Sequence, residues 1–312
     1  METLVFQKNE DSMILKEACR QFLKHCGSAS NLSQHTMRAY CSDLDEAQRY
    51  FGFRKPVGAM KKEPLRQYIH YMREERQLKE TTIKRRLASL KLVFKWAMRE
   101  KLVVENPFDS LNERIRLPKR LPRALDRADQ AALRHALTFE SRKDGFIGVR
   151  DKTAIHLLLD TGIRVGELVA IELADISLAN RSVVIHGKGN RQRLVYLPQR
   201  GLIQKIKQYL AWRSSLSICS EKLFVDVNGA SISTPKVRAS LRDLAKAAGI
   251  SRHVTPHMLR HTCATQWLES GLDIRYVQRL LGHHSISTTE IYTHVSDQGL
   301  REALARATGG RR

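Results

Sequence analysis

Apolar positions recur every three or four residues along most of the chain, the period of helices that bury one face. Residues 12–26 place Ile14, Leu15, Ala18, Phe22 and Leu23 on one side, and Gly27-Ser28 closes the run. Residues 33–51 align Met37, Tyr40, Leu44, Ala47 and Phe51, and a third helix is expected over 62–76. The longest run, 80–100, carries Ile83, Leu87, Leu90, Val93, Phe94 and Ala97 as its apolar stripe. Its polar side holds Lys84, Arg85, Arg86, Lys91 and Lys95. The first hundred residues thus predict a compact four-helix unit with little strand content.

Residues 105–123, ENPFDSLNERIRLPKRLPR, break the pattern with Pro107, Pro118 and Pro122. Prolines at that density interrupt a helix, so this stretch is a basic linker. It sets a boundary near residue 115, with an N-terminal domain over 1–115 and a second domain over 116–312. The second domain predicts helices at 127–136 and 149–160, a loop at 139–148, a break at Thr161-Gly162, and a short helix from Arg164 toward Leu173. The period then shortens to two over 182–186 and 193–197, around a Gly-Lys-Gly-Asn turn. That is a hairpin signature. Helices are expected at 200–213, 234–248, 256–270, 273–281 and 287–295, followed by an amphipathic GLREALARA segment. The fold class is mainly α with a small β-hairpin, a helical N-terminal domain preceding an α+β C-terminal one.

Charge changes this picture. The chain has 312 residues, with 54 Lys+Arg against 32 Asp+Glu, a formal net charge of +22. Such an excess, spread along a folded chain, favours a polyanionic partner, first of all nucleic acid. The basic residues of 80–100 are then either a solvated face or contacts to a DNA backbone. No apolar run approaches the ~18 residues of a membrane span, and the polar start METLVFQKNEDSM has no signal-peptide character. The five cysteines are odd in number and form no Cys-x-x-Cys pair, which fits reduced thiols in the cytoplasm better than a disulfide framework.

Candidate chemistry concentrates in the second domain. Thr255-Pro256 is a helix start, an N-cap followed by a proline at the first helical position. His257 and Arg260 then share a face near a helix N-terminus, which suits an anion, although in isolation the pattern favours a satisfied histidine and a surface arginine. Arg164 lies among Ile163, Val165 and Leu168, with Glu167 three residues on as its natural partner. It is either half of a structural ion pair or a guanidinium held rigid for phosphate. Lys188 sits in the hairpin turn between two glycines, with Arg191 and Arg193 beside it as candidate phosphate ligands. Ser287-Thr288-Thr289-Glu290 reads as a capping box opening a short helix that carries Tyr292, nine residues after His283. His257 and His261 are spaced for a metal, but the sequence His-Met-Leu-Arg-His lacks the glutamate of a zinc-protease helix and puts Arg260 between them. No metal is expected.

These stretches together resemble the tyrosine recombinases, the phage-integrase class of site-specific recombinases, and are similar to the bacterial chromosome-dimer-resolving members. The resemblance lies in TGIRVGELVAIELADI, HGKGNRQRLVYLP and TPHMLRHTCATQWLESGLDIRYVQRLLGHHSISTTEIYTHV, and more loosely in LPKRLPRAL, in the family's order and spacing. It covers roughly residues 10–305, the N-terminal half by layout more than by residues. It implies that Tyr292 is a nucleophile forming a 3′-phosphotyrosine and that Arg164 and Arg260 clamp the scissile phosphate. By the same resemblance Lys188 protonates the leaving 5′-oxygen, His257 handles the tyrosine proton, His283 hydrogen-bonds to phosphate, and Glu167 orients the site. It further implies a C-shaped clamp on DNA with inverted-repeat core sites, a dimer per site, a tetrameric synapse, no cofactor, and a bacterial-type, nucleoid-associated location. An accessory protein, and docking of Leu300, Ala303, Leu304 and Ala307 on a neighbouring protomer or on their own domain, remain open. The 139–148 loop is somewhat longer than in compact members. Two other activities fit the same residues: strand relaxation of the type IB topoisomerase kind, and DNA binding without catalysis.

Overall fold

The computed structural model describes residues 13–29, 32, 34–111, 124–138, 145–187, 192–197, 199–216 and 218–282. The chain divides into two compact units, Met1–Lys119 and Arg120–Arg312. No helix among the described residues is long and apolar enough to cross a membrane.

The first unit is helical. It comprises α1 (Leu15–Ala29), α2 (Gln34–Phe51), α3 (Lys62–His70) and α4 (Glu80–Arg99). All six stripe residues of α4 are buried, against Leu15, Ala18 and Phe22 of α1, Leu44 and Ala47 of α2, and Leu65 and Ile69 of α3. The third helix is shorter than its periodicity suggests. At Tyr71 it passes into a π-helical turn, Tyr71–Glu75, where the Arg76 N–H reaches back five residues to the Tyr71 carbonyl (3.0 Å). Tyr71 packs against Tyr50 with the rings tilted and their centroids 4.7 Å apart, and Met72 is fully buried. The seam between α2 and α4 is ionic. Buried Asp43 accepts from Arg85 Nη1 (2.5 Å) and Ser89 Oγ (2.8 Å), and Glu46 accepts from Arg86 Nη1 (3.2 Å).

The second unit begins with α5 (Arg127–Thr138) and α6 (Phe146–Thr161), the latter buried along most of its length. The described part of the expected 139–148 loop, from Gly145 onward, leads straight into this helix. Phe146 stacks on Tyr209 at 5.6 Å between centroids, and that contact draws one more turn into α6. Helix α7 (Val165–Ala170) follows, ending well before Leu173, where a separate 3-10 turn, Leu173–Asp175, begins. Three antiparallel strands then run in the order β1 (Ile176–Ser177), β2 (Ser182–His186) and β3 (Gln192–Tyr196). The short β1 goes beyond the two-stranded hairpin expectation, and β3 starts one residue earlier than its alternation suggests. In the β2–β3 register Val183 faces Val195 and Ile185 faces Arg193. Helices α8 (Arg200–Ser214), α9 (Thr234–Ala247), α10 (Pro256–Glu269) and α11 (Ile274–Leu281) complete the unit. Helix α6 runs through the centre, packed on α8, α9 and α10. The helix expected at 287–295, its capping box and the 300–307 segment lie outside the described residues.

Candidate active site

Helix α10 starts as its sequence demands. The Thr255 hydroxyl accepts from the Met258 N–H (3.3 Å), and Pro256 occupies the first turn. His257 is therefore exposed on the first turn, while Arg260, one turn further, is only 3% exposed. Arg260 donates to the Gly162 carbonyl from Nη1 (2.7 Å) and to the Leu281 carbonyl from Nη2 (2.7 Å). It joins the end of α6 to the end of α11. Gly162 caps α6 with a left-handed φ of +62°, and a Cβ there would meet Leu281 Cδ2 at 2.9 Å. Only glycine fits both the turn and the approach.

Arg164 caps α7. The Glu167 carboxylate reaches back to the Arg164 backbone N–H (2.8 Å), the reciprocal half of a capping arrangement. The same carboxylate accepts from Arg164 Nη1 (2.9 Å), and Arg164 Nη2 makes a long contact to the Gly282 carbonyl (3.5 Å). The Arg164 side chain remains 48% exposed, its guanidinium held at one edge by Glu167.

Arg193 is turned inward. Its Nη1 and Nη2 donate to the two oxygens of Glu167 (3.0 and 2.7 Å), and its Nε donates to the Leu280 carbonyl (2.8 Å). Glu167 thus accepts four hydrogen bonds, the full capacity of a carboxylate. Burial pushes this carboxyl up, but the hydrogen bonds from Arg193 and Arg164 outweigh it and hold it below the usual range. The sequence sets Arg193 beside Arg191 as a candidate phosphate ligand. Its guanidinium is instead engaged by Glu167 and the helix end. The alternation in Arg193-Leu194-Val195 was the available signal, since it sets Arg193 on the face of buried Val195.

The end of α11 is where these arginines meet. A helix leaves its last four carbonyls without intrahelical partners. Here the Gly282 N–H caps Gln278 and Arg279, Arg193 takes Leu280, Arg260 takes Leu281, and Arg164 reaches the next carbonyl, Gly282. Cations at the negative end of a helix dipole are favourably placed. Behind them, buried Asp160 of α6 accepts from Arg134 Nη1 (2.7 Å), lies 3.2 Å from His156 Nε2, and offers its backbone carbonyl to Cys263 Sγ (3.6 Å). Burial raises the Asp160 carboxyl, but His156 and Arg134 outweigh it and leave it lowered. In the sequence this cluster has one sign, an aspartate ending an otherwise apolar run.

Lys188, Arg191, His283 and Tyr292 lie outside the described residues. In the first unit Lys84 is exposed and Lys91 lies 3.9 Å from Asp109. Arg85 pairs with Asp43, and Arg86, 13% exposed, pairs with Glu46.

The α+β unit gathers Arg164, Arg193 and Arg260 around one helix end, and a small helical unit precedes it in the chain. Comparison with known proteins gives the family. Residues 129–299 match the phage integrase family, and residues 19–101 match the phage integrase N-terminal SAM-like domain. The chain is 36% identical over 295 residues to tyrosine recombinase XerC of Thermodesulfovibrio yellowstonii, covering 92% of this chain and 94% of that one. Among solved structures it is similar to XerH site-specific recombinase bound to palindromic difH substrate in a post-cleavage complex. That match has a TM-score of 0.73 at 24% identity, covering 92% of this chain and 84% of the other. A lambda integrase dimer bound to a core site matches with TM-score 0.72 at 19% identity, covering 92% and 97%. The chain belongs to the phage integrase family, the tyrosine-type site-specific recombinases. Its activity is site-specific recombination through a tyrosine.

Proposed function

We propose that Tyr292 is the nucleophile of this recombinase and that the substrate is duplex DNA carrying inverted-repeat core sites. The Tyr292 hydroxyl attacks a scissile phosphate, its oxygen bonds to phosphorus as a 3′-phosphotyrosine, and the 5′-oxygen leaves. Lys188 protonates that oxygen. His257 takes the tyrosine proton, and His283 hydrogen-bonds to the phosphate. Arg164 and Arg260 stabilise the charge that builds on the non-bridging oxygens. The phosphodiester energy is kept in the covalent link, so the reaction needs no cofactor. Attack of a 5′-hydroxyl from the partner strand rejoins the DNA.

The observation that carries this reading is the convergence of Arg164, Arg260 and the Glu167–Arg193 pair on the end of α11, from which the chain continues into His283 and Tyr292. Helices 1–4 and the basic residues Lys84, Arg85 and Lys91 make backbone contacts, the two domains meeting near residue 115. Two protomers occupy each core site and four form the synapse. The 300–307 segment joins protomers.

The test is trapping on a nicked substrate. A core site selected by this protein from random-sequence duplexes is nicked beside the cleavage position, so that the freed fragment is lost. The expected result is a covalent protein–DNA species whose peptide maps to Tyr292. Tyr292→Phe is expected to bind the same duplex and give no adduct. An adduct formed by that variant, or one mapping to another residue, overturns the assignment.

A further inference from the structure

We propose that Arg193 is a positioning residue of the cleavage reaction, one that fixes Arg164 through Glu167 and fixes the end of α11 through the Leu280 carbonyl. The inference rests on the reading of Arg164 and of residues 283–292 as the reacting groups.

Arg193 occupies an inward-facing position of β3, across from Ile185 of β2, where strand alternation calls for an apolar side chain. A guanidinium in such a place is retained only with partners for its charge. Arg193 has them in a fork: Nη1 and Nη2 each meet one oxygen of Glu167, while Nε turns the other way, to Leu280. The planar head therefore spans two separate elements, α7 and α11. Lysine cannot do this, because an ammonium is a single point and not a fork.

The consequence falls on Arg164. Glu167 is the group that grips the Arg164 guanidinium and its backbone N–H. A glutamate side chain with three rotatable bonds fixes nothing unless it is fixed itself. Arg193 supplies that constraint by occupying one lone pair of each oxygen and leaving the other pair for Arg164. At its third donor, Arg193 lies across the start of the segment that leads to His283. A Cβ on Gly282 would stand 3.0 Å from Arg193 Nη1, 3.1 Å from Cζ and 3.2 Å from Cδ, so the glycine leaves room for this guanidinium. Arg193 also stands five residues after Lys188 and anchors the strand returning from that turn. Three chain segments with proposed catalytic residues are tied to one side chain that touches no substrate. A displacement of about 1 Å at such a site costs on the order of 10²-fold in rate.

The experiment compares Arg193→Gln and Arg193→Lys with the wild-type chain by single-turnover trapping at saturating nicked duplex, alongside DNA affinity at several salt concentrations. Arg193→Gln is expected to cleave about 10²-fold more slowly, with affinity within about threefold of wild type and an unchanged salt slope. Arg193→Lys is expected to recover only part of that loss. Because the Arg193 hydrogen bond holds the Glu167 carboxyl down, the acid limb of the rate–pH profile is expected to move to higher pH in Arg193→Gln. Glu167→Gln is expected to be nearly as slow, and the double variant no slower than either single one. A weakened affinity with a salt slope reduced by about one would make Arg193 a phosphate ligand and overturn the proposal. So would a wild-type cleavage rate per folded molecule with only a lowered melting temperature. If the wild-type chain itself forms no adduct at Tyr292, the underlying assignment of the nucleophile fails, which is a separate result read from the same gels.

Discussion

Arg164 and Arg260 carry the same proposed duty at the phosphate and stand in opposite environments. Arg260 is buried, and two backbone carbonyls from different elements accept its hydrogen bonds. Arg164 is half exposed, held by a neighbouring carboxylate. Removing a charged donor from a buried acceptor costs about 1.5–3 kcal/mol per bond, because the acceptor loses water and partner together. Exposed ion pairs contribute about 1 kcal/mol or less. Arg260→Ala, which removes two such bonds, is therefore expected to lose roughly 3–6 kcal/mol of folding stability and Arg164→Ala less than about 1 kcal/mol, measured by urea denaturation. Both are expected to slow cleavage by about 10²–10³-fold, as loss of one transition-state donor does elsewhere. Equal destabilisation by the two would recast Arg164 as a structural residue. Near-normal cleavage by either would remove it from the phosphate clamp.

At the level of elements, the helices were legible where one face had to be apolar and the ends had chemical markers. The stripe of α4, the Thr255-Pro256 start of α10 and the left-handed Gly282 that stops α11 all follow from local rules. The π-helical turn at Tyr71 was not legible, because it depends on an aromatic cluster drawn from α2 and α3. Of the candidate site, the Arg164–Glu167 pair was legible from the sequence, whereas His257 and Arg260 were legible only as residue types, the first exposed and the second buried. What joins them was not. The acceptors are the backbone carbonyls of Gly162, Leu280, Leu281 and Gly282, and a carbonyl has no letter in a sequence. Two carboxylates brace the α6–α7 joint, and both are held below their ordinary values of 3.8 for Asp160 and 4.5 for Glu167. A depressed folded-state value means the unfolded chain takes up the proton first. The stability these groups add is thus present above their unfolded values and lost as pH falls through the folded ones. Wild-type stability is expected to drop as pH is lowered from about 5 to 3, and Glu167→Gln to show a lower plateau and a shallower drop, followed by circular dichroism. A parallel acid transition in the variant would show that Glu167 is not among the groups whose protonation loosens the fold.

For the whole molecule the governing quantity is the net charge of +22. Each phosphate neutralised releases counterions, so DNA affinity falls with salt in proportion to the number of contacts. Six to ten contacts would cost about 10³–10⁵ in affinity between roughly 50 and 200 mM salt. Net charge alone does not say which cations contribute, and the first unit separates them. Arg86, 13% exposed, pairs with Glu46, while Arg85 pairs with buried Asp43 yet stays 48% exposed, so part of the basic face also serves folding. Lys84, next to them in sequence, is exposed. Lys84→Gln is expected to lower the slope of log affinity against log salt by about one, with stability unchanged. Arg86→Gln is expected to leave the slope alone and to lower stability instead, since it takes from half-buried Glu46 the nearest of its arginine partners Arg86, Arg49 and Arg76. Fluorescence anisotropy of a labelled core-site duplex, read across a salt series for both variants, measures each slope. A reduced slope for Arg86→Gln would mean that the Glu46 pair opens on the DNA and that the residue serves both folding and binding. An unchanged slope for Lys84→Gln would place the DNA against a different face of the helical unit.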